Sequence, residues 1–246
     1  MKKKVAAIIE ARMTSTRLPG KVLMGSCGKP LLQHMIERLK RSNRLDDVIV
    51  ATTVNATDNG IVELCKEIGC NYFRGSEADV LLRVLDAARA FSVDVIVETT
   101  GDCPFIDWRH VNQLMDIYDT GDYDFVSNAT VRSFPDGFDI RIFSQRALEE
   151  VNNLSDDPLD HEHVAIYFPA HPNEYKCFNL MAEGDEYRPD LEVTLDEMGD
   201  YRLINAVFEA LYPLKSDFAC IDVIDYLNNN PELLQYTEGI KRKGIS

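Results

Sequence analysis

Positive charge, long apolar runs, paired cysteines and low-complexity tracts are all scarce or missing in this 246-residue sequence. Lys and Arg number 26 against 41 Asp and Glu, a formal net charge of −15, which argues against a general nucleic-acid binder. No apolar run approaches the ~18 residues needed to cross a bilayer, so membrane insertion is not expected. The opening, MKKKVAAIIEARM, has the basic start and short apolar run of a secretory signal. Glu10 and Arg12 interrupt the run and no small-residue cleavage site follows, so a strand is expected there and a cytoplasmic protein. The six cysteines form no CxxC pair, and the nearest two, Cys65 and Cys70, sit five apart at the end of a predicted helix. Reduced, partly buried thiols are the expectation.

What remains is an ordinary globular composition, 45% hydrophobic and 27% charged, in a chain long enough to bury a real core. Its charge is uneven. Residues 1–50 carry 11 Lys/Arg against 4 Asp/Glu, and the rest carries 15 against 37. A basic N-terminal region on an acidic protein suits a small anionic ligand held at one place.

Hydrophobic periodicity predicts strands at Val5–Ile9, Asp47–Thr52, Asn71–Phe73 and Asp94–Glu98. They alternate with helices at Pro30–Arg41, Asn59–Ile68, Ala78–Phe91 and Trp108–Tyr118. That alternation means βαβ units and a mostly parallel sheet, with ligands beyond the carboxyl ends of the strands. The loops ARMTSTRLPGK, TTVNATD and TTGDCPFID are therefore expected to share one crevice. Beyond Tyr123 the pattern loosens. DFVSNA, FDIRIFS, YKCFNL and LEVTL read as strands, HEHVAIYF as a helix or a strand, and Gln145–Val151, Asp196–Leu211 and Ile221–Leu227 as helices. One domain over 1–246, with a β-rich subregion at about 123–195, is the simplest organisation.

The stretch IIEARMTSTRLPGKVL carries the strongest chemistry. Arg12, Arg17 and Lys21 converge with Thr14, Ser15 and Thr16 just after the first strand. Guanidinium forks match phosphate oxygens, and hydroxyls and loop N–H groups add neutral donors. Gly20 permits a conformation or a close approach that a side chain would block. A triphosphate needs this inventory, although the loop is not the G-x-x-x-x-G-K-[ST] motif. A surface loop with merely solvated charges is the competing reading.

Asp102, in GDCP, and Asp196, in VTLDEMGD, are the candidate metal ligands. Mg²⁺ on a nucleotide takes only one or two protein carboxylates. Each could instead cap a helix or shape a turn. Asp200, one helical turn on, could share the face of Asp196. His161 and His163 lie two apart without an evident third zinc ligand, and one of them is better suited to an anionic ligand.

ARMTSTRLPGKVL, VIVATT, FRGSEADVLLR, TGDCPFID, SFPDGFDIRIFSQRAL, EHVAIYF and VTLDEMGDYRLI, in that order, resemble the sugar-acid cytidylyltransferases, the CMP-sugar synthetases. Within them the chain is most similar to the spore-coat polysaccharide biosynthesis protein F group. The resemblance implies a Rossmann-like (GT-A-like) nucleotidyltransferase fold, an α/β sheet flanked by helices with a small β-rich dimerisation subregion. It also implies CTP, a 2-keto-3-deoxy sugar acid, Mg²⁺ and a homodimer. By the matched motifs Ala11, Arg12, Thr14, Ser15, Arg17 and Lys21 would hold the triphosphate, with Arg12, Lys21 and Asp102 catalytic. Thr52, Gly75, Ser76 and Arg83 would surround the nucleoside. Asp102 and Asp196 would hold Mg²⁺, and Asn128, Asp136, Asp139 and His163 would face the acceptor. Members acting on nine-carbon acids carry GGS where this chain has MTS, which leaves the sugar open.

The activity so implied is attack of a sugar-acid hydroxyl on the α-phosphorus of CTP with loss of pyrophosphate, in surface polysaccharide or glycan synthesis. The alternatives are a nucleotidyltransferase using another NTP and a sugar phosphate, a metal-dependent glycosyltransferase, and a non-catalytic nucleotide-binding subunit.

Overall fold

A computed structural model of the chain describes residues 2–240. The first strand, β1 (Val5–Glu10), is an apolar run buried on both faces, the signature of a central parallel strand. After a loop comes a two-stranded ribbon, β2 (Gly25–Ser26) and β3 (Lys29–Pro30), which leads into α1 (Leu31–Leu39). The ribbon was not foreseen from sequence. β4 (Asp47–Thr53), α2 (Asn59–Glu67), β5 (Asn71–Gly75), α3 (Val80–Ala90), β6 (Val95–Thr100) and α4 (Trp108–Tyr118) follow, close to the predicted bounds. β7 (Phe125–Ser127), β8 (Arg141–Ser144), α5 (Gln145–Leu154), α6 (Pro158–His163), α7 (Tyr167–Ala170) and β9 (Cys177–Asn179) make the looser region. α8 (Met198–Leu211) and α9 (Cys220–Asn229) follow, with a 3-10 helix at Pro231–Thr237 after them.

The main sheet runs β5-β4-β1-β6-β8-β7-β9. It is mostly parallel, and only the pairings of β8 with β6 and β7 are antiparallel. One face of β1, Ala7 and Ile9, packs under α1, α2 and α4. The other, Ala6 and Ile8, packs under α3 and α5. A third apolar cluster joins α8 and α9 to Leu31, Phe105 and Phe138. The chain leaves β1 toward β4 on one side and reaches β6 on the other. The strand order therefore reverses between β1 and β6, where α/β sheets open a ligand crevice.

Two readings of the looser region change, and one left open between helix and strand is decided. LEVTL is extended, but it makes only one bridge, Asp136 with Glu192. Beside it Gly137 has φ +111°, and a Cβ there would lie 2.9 Å from the Val193 backbone. The two backbones approach closely here, which the missing Cβ permits, with Asp136 N–H donating to Leu191 O and Val193 N–H to Asp136 O at 2.9 and 2.8 Å. HEHVAIYF becomes two short helices, α6 and α7, broken at Val164 with φ 57°. The C-terminal helix starts at Met198 rather than Asp196, because Glu197 is its N-cap.

Candidate active site

A cavity of about 480 Å³ opens at the β1/β6 reversal, within the range of small-molecule sites. Arg12, Ser15, Thr16, Arg17 and Lys21 line it from the first loop, and Glu10 and Ala11 from the end of β1. Thr100, Gly101 and Asp102 come from the end of β6. Val80 and Arg83 come from α3, Leu159, Glu162 and His163 from α6, and Asp196 from the entry to α8.

The first loop is shaped by its own backbone. Gly20, at φ +74°, donates its N–H to Met13 O at 2.9 Å, closing a turn that drops Lys21 into the crevice. The loop after β4 stands behind it. Asp58 accepts from Met13 N at 2.9 Å, Thr52 Oγ1 at 3.0 Å and Thr53 Oγ1 at 2.6 Å. TTVNATD thus props the first loop and does not line the cavity, which corrects the shared-crevice expectation for that segment. The GDCPFID loop is pinned from below by buried Arg38, which donates to the carbonyls of Phe105, Ile106 and Phe218 at 2.8–3.0 Å.

At the centre Lys21 Nζ lies 3.0 Å from Asp102 Oδ2 and 2.9 Å from Asp196 Oδ1. Arg17 Nη2 lies 2.9 Å from Asp196 Oδ2. Burial alone would lower the Lys21 pKa, but the two carboxylates outweigh it and hold the ammonium charged. Enclosure would raise Asp102, yet Lys21 and the 2.5 Å hydrogen bond from Thr100 Oγ1 keep it below the usual carboxylate range. Two carboxylates bracketing one ammonium are hard oxygen donors of the kind that could hold a Mg²⁺ ion. Asp200 caps α8, accepting from the N–H groups of Asp196 and Glu197 at 3.0 and 2.8 Å. This capping was not foreseen, and it gives Asp200 a backbone role.

The wall also leaves polar atoms unanswered. Glu10 Oε1, Arg17 Nη1 and Arg83 Nε are buried without a hydrogen-bond partner, all on residues that line this cavity. Such groups cost free energy until a ligand pairs with them. Arg83 reaches the wall past Gly75, where a Cβ would sit 2.9 Å from its Cγ.

Thr14, Ser76, Asn128, Asp136 and Asp139 lie outside the lining. Thr14 Oγ1 donates to Glu77 at 2.5 Å, and Arg12 Nη1 lies 3.9 Å from the same carboxylate. Ser76 Oγ accepts from Asp79 N at 3.0 Å at the start of α3. Buried Asn128 clamps the β7–β8 connection, donating to Phe138 O at 2.9 Å and accepting from Ile140 N at 2.8 Å. Asp139 pairs with Arg132 and, at 3.6 Å, with Arg141, while Asp136 lies 3.3 Å from Arg132. The two histidines part company. His161 is held by Asp79 and the Ser155 carbonyl, each at 2.9 Å, while His163 lines the cavity. Neither belongs to a three-donor metal cluster among the described residues. The six cysteines are free thiols.

Sequence reading missed Glu10, Thr100 and Glu162. A charged residue closing an otherwise apolar strand, as in VAAIIE, is the signal that could have found the first.

The comparisons with known proteins agree with this geometry. The spore coat polysaccharide biosynthesis protein SpsF of Bacillus subtilis is 32% identical over 233 residues, 92% of this chain and 94% of SpsF. The structure of a cytidylyltransferase from Leptospira borgpetersenii serovar Hardjo-bovis superposes with a TM-score of 0.90 at 34% identity, covering 98% of this chain and all of that one. The structure of a CMP:2-keto-3-deoxy-manno-octonic acid synthetase complexed with CTP shares the fold, with a TM-score of 0.65 at 18% identity over 84% of this chain and 99% of its own. The family model for cytidylyltransferases matches residues 6–238, from β1 through the turns beyond α9, and so takes in every residue of the cavity wall: the chain belongs to the cytidylyltransferase family.

Proposed function

We propose that the protein transfers CMP from CTP to a hydroxyl of a 2-keto-3-deoxy sugar acid, releasing pyrophosphate, in surface polysaccharide or glycan synthesis. The observation that carries this reading is the centre of the cavity, where Arg17 and Lys21 meet Asp102 and Asp196 at 2.9–3.0 Å. In the reaction the sugar oxygen bonds to the α-phosphorus as the bond to the bridging oxygen breaks. Chemistry of this kind is mostly positioning and charge neutralisation. Arg12, Arg17 and Lys21 neutralise the leaving pyrophosphate. Asp102 and Asp196 are the residues that would hold a Mg²⁺ ion, which when bound supplies further neutralisation of phosphate oxygens. His163 and Glu162, on α6, meet the acceptor acid and its hydroxyls.

The related synthetase named for CMP and 2-keto-3-deoxy-manno-octonic acid supports this acceptor class, and SpsF supports the polysaccharide context. In the same reading the protein works in the cytoplasm as a homodimer, paired through the 123–195 subregion. There Val131 (53% exposed) and Met181 (43%) stand out beside each other, joined through Asn179.

The test is pyrophosphate release from CTP with Mg²⁺ across a panel of 2-keto-3-deoxy sugar acids, with Asp102→Asn as control. Release should depend on one acid and vanish in the variant. Near-normal turnover by Asp102→Asn would refute the role given to that carboxylate. Release with sugar phosphates instead of acids would refute the acceptor class.

A further inference from the structure

Three strands place a row of charge on the α3 side of the sheet. Glu98 on β6 is paired in register with Ile8 on one side and Arg141 on the other, which makes Glu10 its diagonal neighbour on the same face. Arg141 Nη1 answers Glu98 at 3.3 and 3.1 Å. Glu10 has no such partner, and no ion pair of Glu10 occurs among the described residues. Its Oε1 is buried without a donor, yet the residue lines the cavity. Arg83, 2% exposed, lines the same wall with its Nε unpaired. Lys21, by contrast, is paired with Asp102 and Asp196. The lining thus offers two kinds of group. One is a cation–carboxylate centre fit for phosphates. The other is a carboxyl beside a guanidinium, flanked by Val80, fit for a flat ring with donors and acceptors on its edge.

We propose that Glu10 is a specificity-determining residue that reads the nucleobase, accepting a hydrogen bond from the 4-amino group of cytosine while Arg83 donates to the ring's acceptor edge. The inference rests on the nucleotide reading of the cavity. Cytosine presents an amino donor beside the N3 and O2 acceptors, and uracil presents a carbonyl oxygen where cytosine has the amino group. Burial and the neighbouring Glu98 push the Glu10 carboxyl above its ordinary range. Its Oε1, buried in the cavity wall with no donor of its own, is placed to accept. Against uracil this oxygen meets a second acceptor, and neither can donate. A site built to pair a polar group rejects the analogue that leaves it unpaired.

The experiment is calorimetric titration of CTP and UTP into the wild-type protein, Glu10→Gln and Glu10→Leu, with thermal melts to establish that each variant folds. In Glu10→Gln the amide keeps a carbonyl oxygen that can accept from the ring's amino group, so CTP preference should persist. Glu10→Leu should lose roughly tenfold in CTP affinity, the worth of one hydrogen bond, and should no longer prefer CTP to UTP. A measurement independent of folding uses the wild-type protein with a CTP analogue lacking the 4-amino group, which should bind roughly tenfold more weakly. Glu10→Leu with an unchanged CTP-to-UTP ratio, or full affinity for the analogue lacking the 4-amino group, would overturn the inference and leave the nucleotide reading standing. Wild-type protein that binds neither nucleotide would overturn both.

Discussion

Replacing Lys21 with Met keeps the length of the side chain and deletes the one charge that holds Asp102 and Asp196 together. Lys21 Nζ is 3.0 and 2.9 Å from an oxygen of each, so those oxygens are at most about 6 Å apart, and in the variant they face each other without the ammonium. At an effective dielectric of 20, two charges at that separation repel by about 3 kcal/mol. Arg17 remains on Asp196, and water reaches both carboxylates, whose side chains are 25% and 18% exposed. The expected loss of stability is therefore about 2 kcal/mol, or roughly 4–8 °C in melting temperature for a chain of this size. If the two carboxylates are a divalent-cation site, the variant should recover with Mg²⁺. An ion at ten times its dissociation constant returns about 1.4 kcal/mol. The wild-type protein should gain less, because its lysine already occupies that place. The assay is urea unfolding at pH 7 with and without MgCl₂, followed by turnover, which should fall by about 10²–10³ as charge stabilisation is lost. Equal Mg²⁺ effects on both proteins, or a variant as stable as wild type, would refute the reasoning.

Two more outcomes follow from the electrostatics around the site. Arg141→Met strands Glu98, which is 1% exposed, and should cost about 3 kcal/mol by urea unfolding at pH 7; a loss under 1 kcal/mol would mean that water or another group solvates Glu98. Asp136 is pushed up to about 6 by burial and by Asp139, against the pull of Arg132. A carboxyl raised on folding adds stability below its unfolded pKa, and that stability is lost as pH rises through the folded value. The wild-type melting temperature should therefore fall between about pH 4 and pH 6 by an increment that Asp136→Asn removes; parallel curves for the two proteins would show that Asp136 has no share in it.

Much of the parallel half of the fold was legible because its signals are local. VAAII, DVIVAT and DVIVE are short apolar runs between helices with strong periodicity, and such runs become buried parallel strands whatever else the chain does. The basic loop was legible for a related reason. Arg17 and Lys21 fall after the first strand, and strand order alone then places them at the mouth of the sheet. The looser half was harder because its elements depend on partners far along the chain. LEVTL has the alternation of a strand, yet its pairing stops at a single bridge between Glu192 and Asp136.

The same distinction separates the site residues that were found from those that were missed. Asp102 and Asp196 could be picked one at a time, because each closes an extended segment ahead of a turn. That they share one ammonium could not be read, since its two contacts span 81 and 175 positions of chain. Glu10 is the sharper case. Read along the chain it is a strand-ending carboxylate, and water would be its expected partner. Across the sheet it becomes the unmatched end of a row in which Glu98 has already taken Arg141. Glu98 has an ion pair with Arg141, and Glu10 has none among the described residues; register puts Arg141 directly opposite Glu98. A residue left over from such pairing, at the wall of a cavity, is where a fold that serves many nucleotides can be made to choose one.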